Sequence, residues 1–189
     1  MTSPLPRVLR WATFVAIAVV AAPLIALLWR VPWSDLPQLL STEVVVDALL
    51  LSTLSSMCAA GAALVLGTLI ALQLSNMRGA AASTLRALVT LPMVLPPVVG
   101  GAALLFAFGR NGLIGETINN ATGLVLPYSL AGVVIANTFV ATPFVVLTIE
   151  SGLRSLDPRY ELAAATLGAG PLSTKLRVVL PMIRSSIVA

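Results

Sequence analysis

Histidine is absent from this chain, cysteine occurs once, and only 10% of the 189 residues are charged. Each shortage excludes something. With no histidine and a single Cys58 set in an apolar run, neither a disulfide nor a cysteine/histidine metal cluster can form. Cys58 is expected to serve packing. Globular proteins carry about 25% charged residues, so a soluble domain is also excluded. No GxxxxGK[ST] loop is present to cradle nucleotide phosphates, so any energy from ATP has to come from another polypeptide.

What is present is apolar sequence, 58% of the chain. Long charge-free stretches divide it: 19 residues between Arg10 and Arg30, 30 between Asp47 and Arg78, 23 between Arg86 and Arg110, and 33 between Glu116 and Glu150. A membrane helix needs about 20 apolar residues, so each stretch holds one span. The expected architecture is all-α: a single polytopic transmembrane bundle over 1–189, with spans near 11–29, 49–74, 87–108 and 125–148. A fifth span is expected to start at Pro181 and to be cut short, as if the chain were truncated at its C-terminus. The first span reads as an uncleaved anchor rather than a signal peptide. Its apolar core is too long for a signal, and Trp11, Trp29 and Trp33 flank it as interfacial anchors do.

Lys and Arg per loop set the orientation. With the N-terminus in the cytoplasm, the inner segments hold nine basic residues (7, 10, 78, 86, 154, 159, 175, 177, 184) and the outer loops two (30, 110). The loop 150–180 is then cytoplasmic. No ionisable residue lies in the central part of any span, so the titratable markers of a proton relay are missing. Na⁺ coupling through backbone carbonyls remains open.

The third span contains Leu91-Pro92-Met93-Val94-Leu95-Pro96-Pro97-Val98-Val99-Gly100-Gly101. Each interior proline removes a hydrogen bond and clashes with the preceding turn. The segment is therefore either broken at membrane depth, where a cavity or protein covers it, or a kinked helix repaired by its neighbours. Broken, its freed N–H groups would form an uncharged anion path with Pro92, Pro96, Pro97, Gly100 and Gly101. Asn137, Thr138 and Thr142 before Pro143 mark a similar polar kink in the fourth span. In the second span, Ser55, Ala59, Ala63, Gly67, Ala71 and Ser75 recur every four residues, a row suited to close packing in the subunit or between copies. The row drifts about 40° per step, so only Ala59 to Gly67 is expected to face one partner.

In the loop, Asp157 and Pro158 start a helix, Gly168 ends it, and Pro171 opens a second over 172–179. The pattern looks made for another protein. Ala163 and Ala164 leave room for a partner surface, and Leu167, Leu176 and Val179 supply apolar contact. A basic juxtamembrane loop also sits well on anionic lipid.

The same residues carry a family resemblance. Ala163-Ala164, then Gly168, then Val178, Leu180 and Pro181 match the spacing of the EAA motif of bacterial ABC importer permeases. The motif's acid stands one place early, at Glu161. The proline-rich segment, followed by Gly109-Arg110-Asn111-Gly112-Leu113-Ile114-Gly115, is similar to the third-span region of molybdate permeases, and sulfate permeases share part of it. The resemblance implies a non-enzymatic, multi-pass subunit of the bacterial inner membrane that binds no cofactor itself. Its implied partners are an ABC ATPase dimer holding ATP-Mg, a second permease copy and a periplasmic or lipid-anchored binding protein. No nucleic-acid partner is expected. Loop residues Glu161, Ala163, Ala164, Leu167, Gly168, Leu176, Val178, Leu180 and Pro181 would form the coupling contact. The implied cargo is an oxyanion, molybdate ahead of sulfate, thiosulfate or tungstate, with Arg110 steering it at the mouth or simply snorkelling. Two other classes stay open: an ion-coupled carrier, and a scaffold that binds an ATPase without transporting.

Overall fold

A computed structural model describes residues 7–184, and every regular element among them is helical. In chain order these are α1 (Arg7–Trp29), α2 (Leu36–Leu40), α3 (Glu43–Asn76), α4 (Ala80–Val94), α5 (Pro97–Phe108), α6 (Gly115–Thr122) and α7 (Leu130–Ser155). Then follow α8 (Arg159–Thr166), α9 (Pro171–Thr174), a π-helical turn (Lys175–Val179) and α10 (Leu180–Met182). The chain divides into two compact units, 1–49 and 50–189.

The first unit holds α1, α2 and the opening turns of α3. Pro23 lies inside α1 without ending it. After α1, the indole N–H of Trp33 donates to the Leu28 carbonyl at 3.1 Å. This bond fastens the turn to one of the four carbonyls that a helix C-terminus leaves free.

In the second unit, apolar length dictates helix, and proline and glycine dictate where helices stop. α3 and α7 are both long and apolar enough to cross a membrane, as is α1 from Trp11 onward. The third expected span is instead two helices, α4 and α5, bent by 114°. Consecutive prolines cause the break. Each pushes the residue before it out of the α region, and Leu95 and Pro96 are accordingly extended (ψ 133° and 139°). The continuous kinked helix is thereby set aside.

Residues 125–129, expected in the fourth span, are not helical. Pro127 and the positive φ of Tyr128 (61°) form a turn, and Ser129 caps α7 by accepting the Gly132 N–H at 3.2 Å. At its other end α7 runs past 148 to Ser155, because Ile149, Gly152 and Leu153 keep facing the interior. The loop expected from 150 therefore begins at Leu156. The fifth span expected from Pro181 begins as α10, turns at Ile183 and is helical again at Arg184; its remainder, 185–189, lies outside the described residues.

The glycine-rich segment 109–115 folds back onto the end of α5. Leu113 and Ile114 donate their N–H groups to the Phe106 and Ala107 carbonyls at 3.1 and 2.8 Å, so the turn caps the helix. Close approach explains the residue type. A Cβ on Gly112 would stand 2.7 Å from the Phe106 carbonyl oxygen, and one on Gly115 would collide with the Gly109 and Phe108 oxygens.

The core lies where α3, α7 and α10 converge. Ala71, Leu74, Val146, Ile149 and Ile183 are buried together, with Leu85, Val89, Leu153, Leu156 and Leu180 packed around them. Along α3 the buried row runs Ser55, Ala59, Ala63, Gly67, Ala71 and then Leu74. It is longer than the expected Ala59–Gly67 stretch, as happens when neighbours inclined to a helix follow its drifting ridge. At Gly67 the approach is tight, since a Cβ would lie 2.6 Å from Val145 Cγ1. Cys58 is exposed and is not part of the buried core.

Candidate translocation path and coupling loop

A cavity of about 520 Å³ opens between α3, α4, α5 and α7. Its walls are mostly apolar, with Leu66, Leu88, Phe108 and Phe139 among them, and Pro92, Thr138 and Thr142 also line it. Three of the eight path residues read from sequence therefore meet in one place. Pro96, Pro97 and Gly101 are exposed at the break and the first turn of α5, and Gly100 beside them is half-buried. Asn137 is exposed and does not line the cavity.

Hydrogen bonding limits what this cavity offers an anion. Thr138 donates its hydroxyl to the Val134 carbonyl and Thr142 donates to Thr138, both at 2.7 Å. Both hydroxyl protons are thus spent on their own helix. At the break, Pro96 and Pro97 have no N–H, and the N–H groups of Val99 and Gly100 both go to the Pro96 carbonyl. The double proline that opens the helix also removes two of the N–H groups a helix start would otherwise offer.

The loop after α7 is tightly built. Asp157 accepts the Arg159 N–H at 2.9 Å, which caps α8 two residues on. The end of α8 is a Schellman motif. Gly168 N–H reaches the Ala165 carbonyl and Ala169 N–H the Ala164 carbonyl, both at 3.0 Å, with Gly168 at φ 82°. Nothing lies within 4 Å of where a Gly168 Cβ would be, so conformation, not space, calls for glycine here.

The second helix does not stop at 179. It continues through the π turn, in which Leu180 N–H bonds back to the Lys175 carbonyl, and on across Pro181. A widened turn directly before proline relieves the clash its ring makes with a normal α turn. Val179 and Ile183 anchor this helix inside, at 1% and 3% exposure.

The predicted contact residues thus divide into two sets. Ala164 is buried, and Val178 and Leu180 are half-buried in the protein's own packing. Glu161, Ala163, Leu167, Gly168, Leu176 and Pro181 are exposed. Glu161 pairs with Lys175 at 2.8 Å and so ties the first loop helix to the second. Val179, read from sequence as contact surface, belongs to the interior. Tyr160, Leu162 and Leu172 join Leu167 and Leu176 as large apolar residues left exposed on a segment outside the long helices.

One cluster was missed from sequence. Glu150, 4% exposed near the end of α7, receives Arg86 of α4 through both Nε (3.2 Å) and Nη2, and Arg154 at 2.9 Å. The Glu150/Arg154 pair at i,i+4 is a readable signal. Arg86, 64 positions away, gives none.

A family model described as "Binding-protein-dependent transport system inner membrane component" matches residues 63–189. The chain is 42% identical over 185 residues to the molybdenum transport system permease protein ModB of Mycobacterium tuberculosis, covering 98% of this chain and 70% of that protein. It is 34% identical over 166 residues to the sulfate transport system permease protein CysT of Escherichia coli, covering 88% and 60% respectively. Among solved structures, a bacterial alginate ABC transporter in complex with an alginate pentasaccharide-bound periplasmic protein contains a chain of the same fold. The TM-score is 0.68 at 16% identity, covering 95% of this chain and 68% of that one.

Proposed function

The chain belongs to the family of binding-protein-dependent transport system inner membrane components, and from that premise we propose that it is the permease subunit of an ATP-driven oxyanion importer, with molybdate as cargo. The observation that carries the reading is the 42% identity to a molybdenum permease along nearly the whole chain. Sulfate is the second reading, supported by the weaker likeness to the sulfate permease.

ATP hydrolysis falls to a separate ATPase, and the loop 156–183 is its docking site. The exposed leucines there support this role, since large apolar side chains left exposed on a segment outside the long helices suit an interaction surface. Glu161 acts inside the loop, bracing α8 against Lys175, while Leu162, Leu167, Leu172 and Leu176 meet the ATPase. A second permease copy and an external binding protein complete the assembly, as a periplasmic protein does in the alginate transporter.

Four crossings and a cytoplasmic N-terminus require the bent pair α4–α5 to cross rather than return to its own side. Charge supports crossing. If the pair crosses, basic residues divide nine inside to two outside. If it returns, Arg110 moves inside and Arg154, Arg159, Lys175, Arg177 and Arg184 move out, leaving five against six and no bias. The cavity beside the break serves as part of the path. Poor in donors and without fixed charge, it holds an anion weakly, as a conduit must.

Reconstitution with the ATPase and binding protein tests the function. ATP-dependent molybdate uptake is expected, with sulfate as the competitor. Uptake that persists without ATP and collapses with an ion gradient would overturn the reading in favour of a secondary carrier.

A further inference from the structure

The Arg86–Glu150–Arg154 network plays no part in the reading above, yet its place in the fold is specific. Arg86 lies on α4, the helix that leads into the break at Leu95–Pro96. Glu150 and Arg154 lie in the last turns of α7, and only residues 156–158 separate that helix from α8. The network therefore joins the helix that carries the break to the helix that carries the loop. A pocket of about 470 Å³ adjoins it, lined also by Arg78, Asp157, Glu161 and Lys175. Glu161 and Lys175 are committed to each other, and Asp157 faces Arg159 at 3.9 Å, so Glu150 is left to its two arginines.

Stability alone is a poor reason to bury such a charge, because a well-packed apolar pair serves as well or better. What the ion pair supplies is geometry. A guanidinium gripping a carboxylate through two nitrogens fixes distance and orientation together. Any separation of α4 from α7 would leave Glu150 buried and under-compensated, so the two helices move as one piece.

We propose that this network is the joint through which displacement of the loop reaches the break, with Glu150 as its positioning residue. The inference rests on the chain being a permease driven by a separate ATPase. The assembled transporter in proteoliposomes, with its ATPase and binding protein, provides the test. Glu150→Gln is expected to lower molybdate taken up per ATP hydrolysed by about tenfold, while ATPase association and hydrolysis persist. The double variant Arg86→Met/Glu150→Leu keeps the site packed without charge and is expected to assemble and be uncoupled in the same way. Normal uptake per ATP in either variant overturns the joint, because hydrogen-bonded geometry would then be dispensable. Loss of ATPase association in both overturns it too, and reduces the network to a structural tie. Unaltered transporter showing no ATP-dependent uptake would bring down the permease reading and the joint together, an outcome distinct from the other two.

Discussion

Where α3 and α7 approach the loop, Leu74, Val146 and Ile149 are almost wholly buried, and Glu150 is gripped by two arginines. A few turns along the same helices, Leu66, Ile135 and Thr138 surround open space. The same two helices therefore make a packed core at one end and a void at the other. The contrast is one of packing: the loop end is filled, whereas beside the cavity side chains face unfilled space.

Truncating one leucine at each end is the sharpest way to break that contrast. Leu74→Ala should cost about 3 kcal/mol, because a full-sized hole opens in a tight core. Leu104→Ala, at the cavity wall, should cost well under half of that, since the space is already there. Equal shifts in thermal unfolding of the detergent-solubilised protein would erase the distinction. Next in size is Gly67→Ala, which drives a methyl into Val145 at the close approach of α3 and α7. Overpacking of this kind costs about 1–3 kcal/mol, and the same melting measurement reads it.

The elements differ in how far the sequence announced them. The capped start of α8 at Asp157, its end at Gly168 and the small-residue row of α3 were legible because each depends on local spacing. The disruption between α4 and α5 was legible, but the sequence left a break and a repaired kink both open and did not give the 114° angle, since the angle depends on what the two halves pack against. The Arg86–Glu150 pair was invisible for a different reason. It closes over 64 positions, and no window of sequence reports which distant charge a buried carboxylate will meet. Thr138 and Thr142 were read as polar lining. They do reach the cavity, yet their protons are turned back into α7.

Two smaller effects sharpen the comparison further. Gly168→Ala forces a Cβ into left-handed backbone at a cost of about 1 kcal/mol. It should weaken ATPase association in co-purification while leaving membrane insertion intact. Unchanged association would mean the Schellman turn does not shape the docking face. The smallest effect is expected from Thr142→Val. Losing a hydroxyl that bonds only its own helix should change stability by less than about 1 kcal/mol and leave the uptake rate nearly unaltered. A large fall in uptake would show that the hydroxyl oxygen faces the cargo after all.

The π-helical turn at Lys175–Val179 holds one more residue than an α turn would. Each residue advances an α helix by about 100°, so this surplus sets the phase of everything that follows. Because of it, Val179 and Ile183 both point inward while Lys175 stays beside Glu161. Forcing these residues into regular α geometry would swing Ile183 about 100° off the core, whereas deleting Val178 would let an ordinary α turn replace the wide one and keep Ile183 in place. The angular register between the loop and the residues beyond Pro181 therefore rests on matching one surplus residue to one widened turn, a count rather than a chemical type.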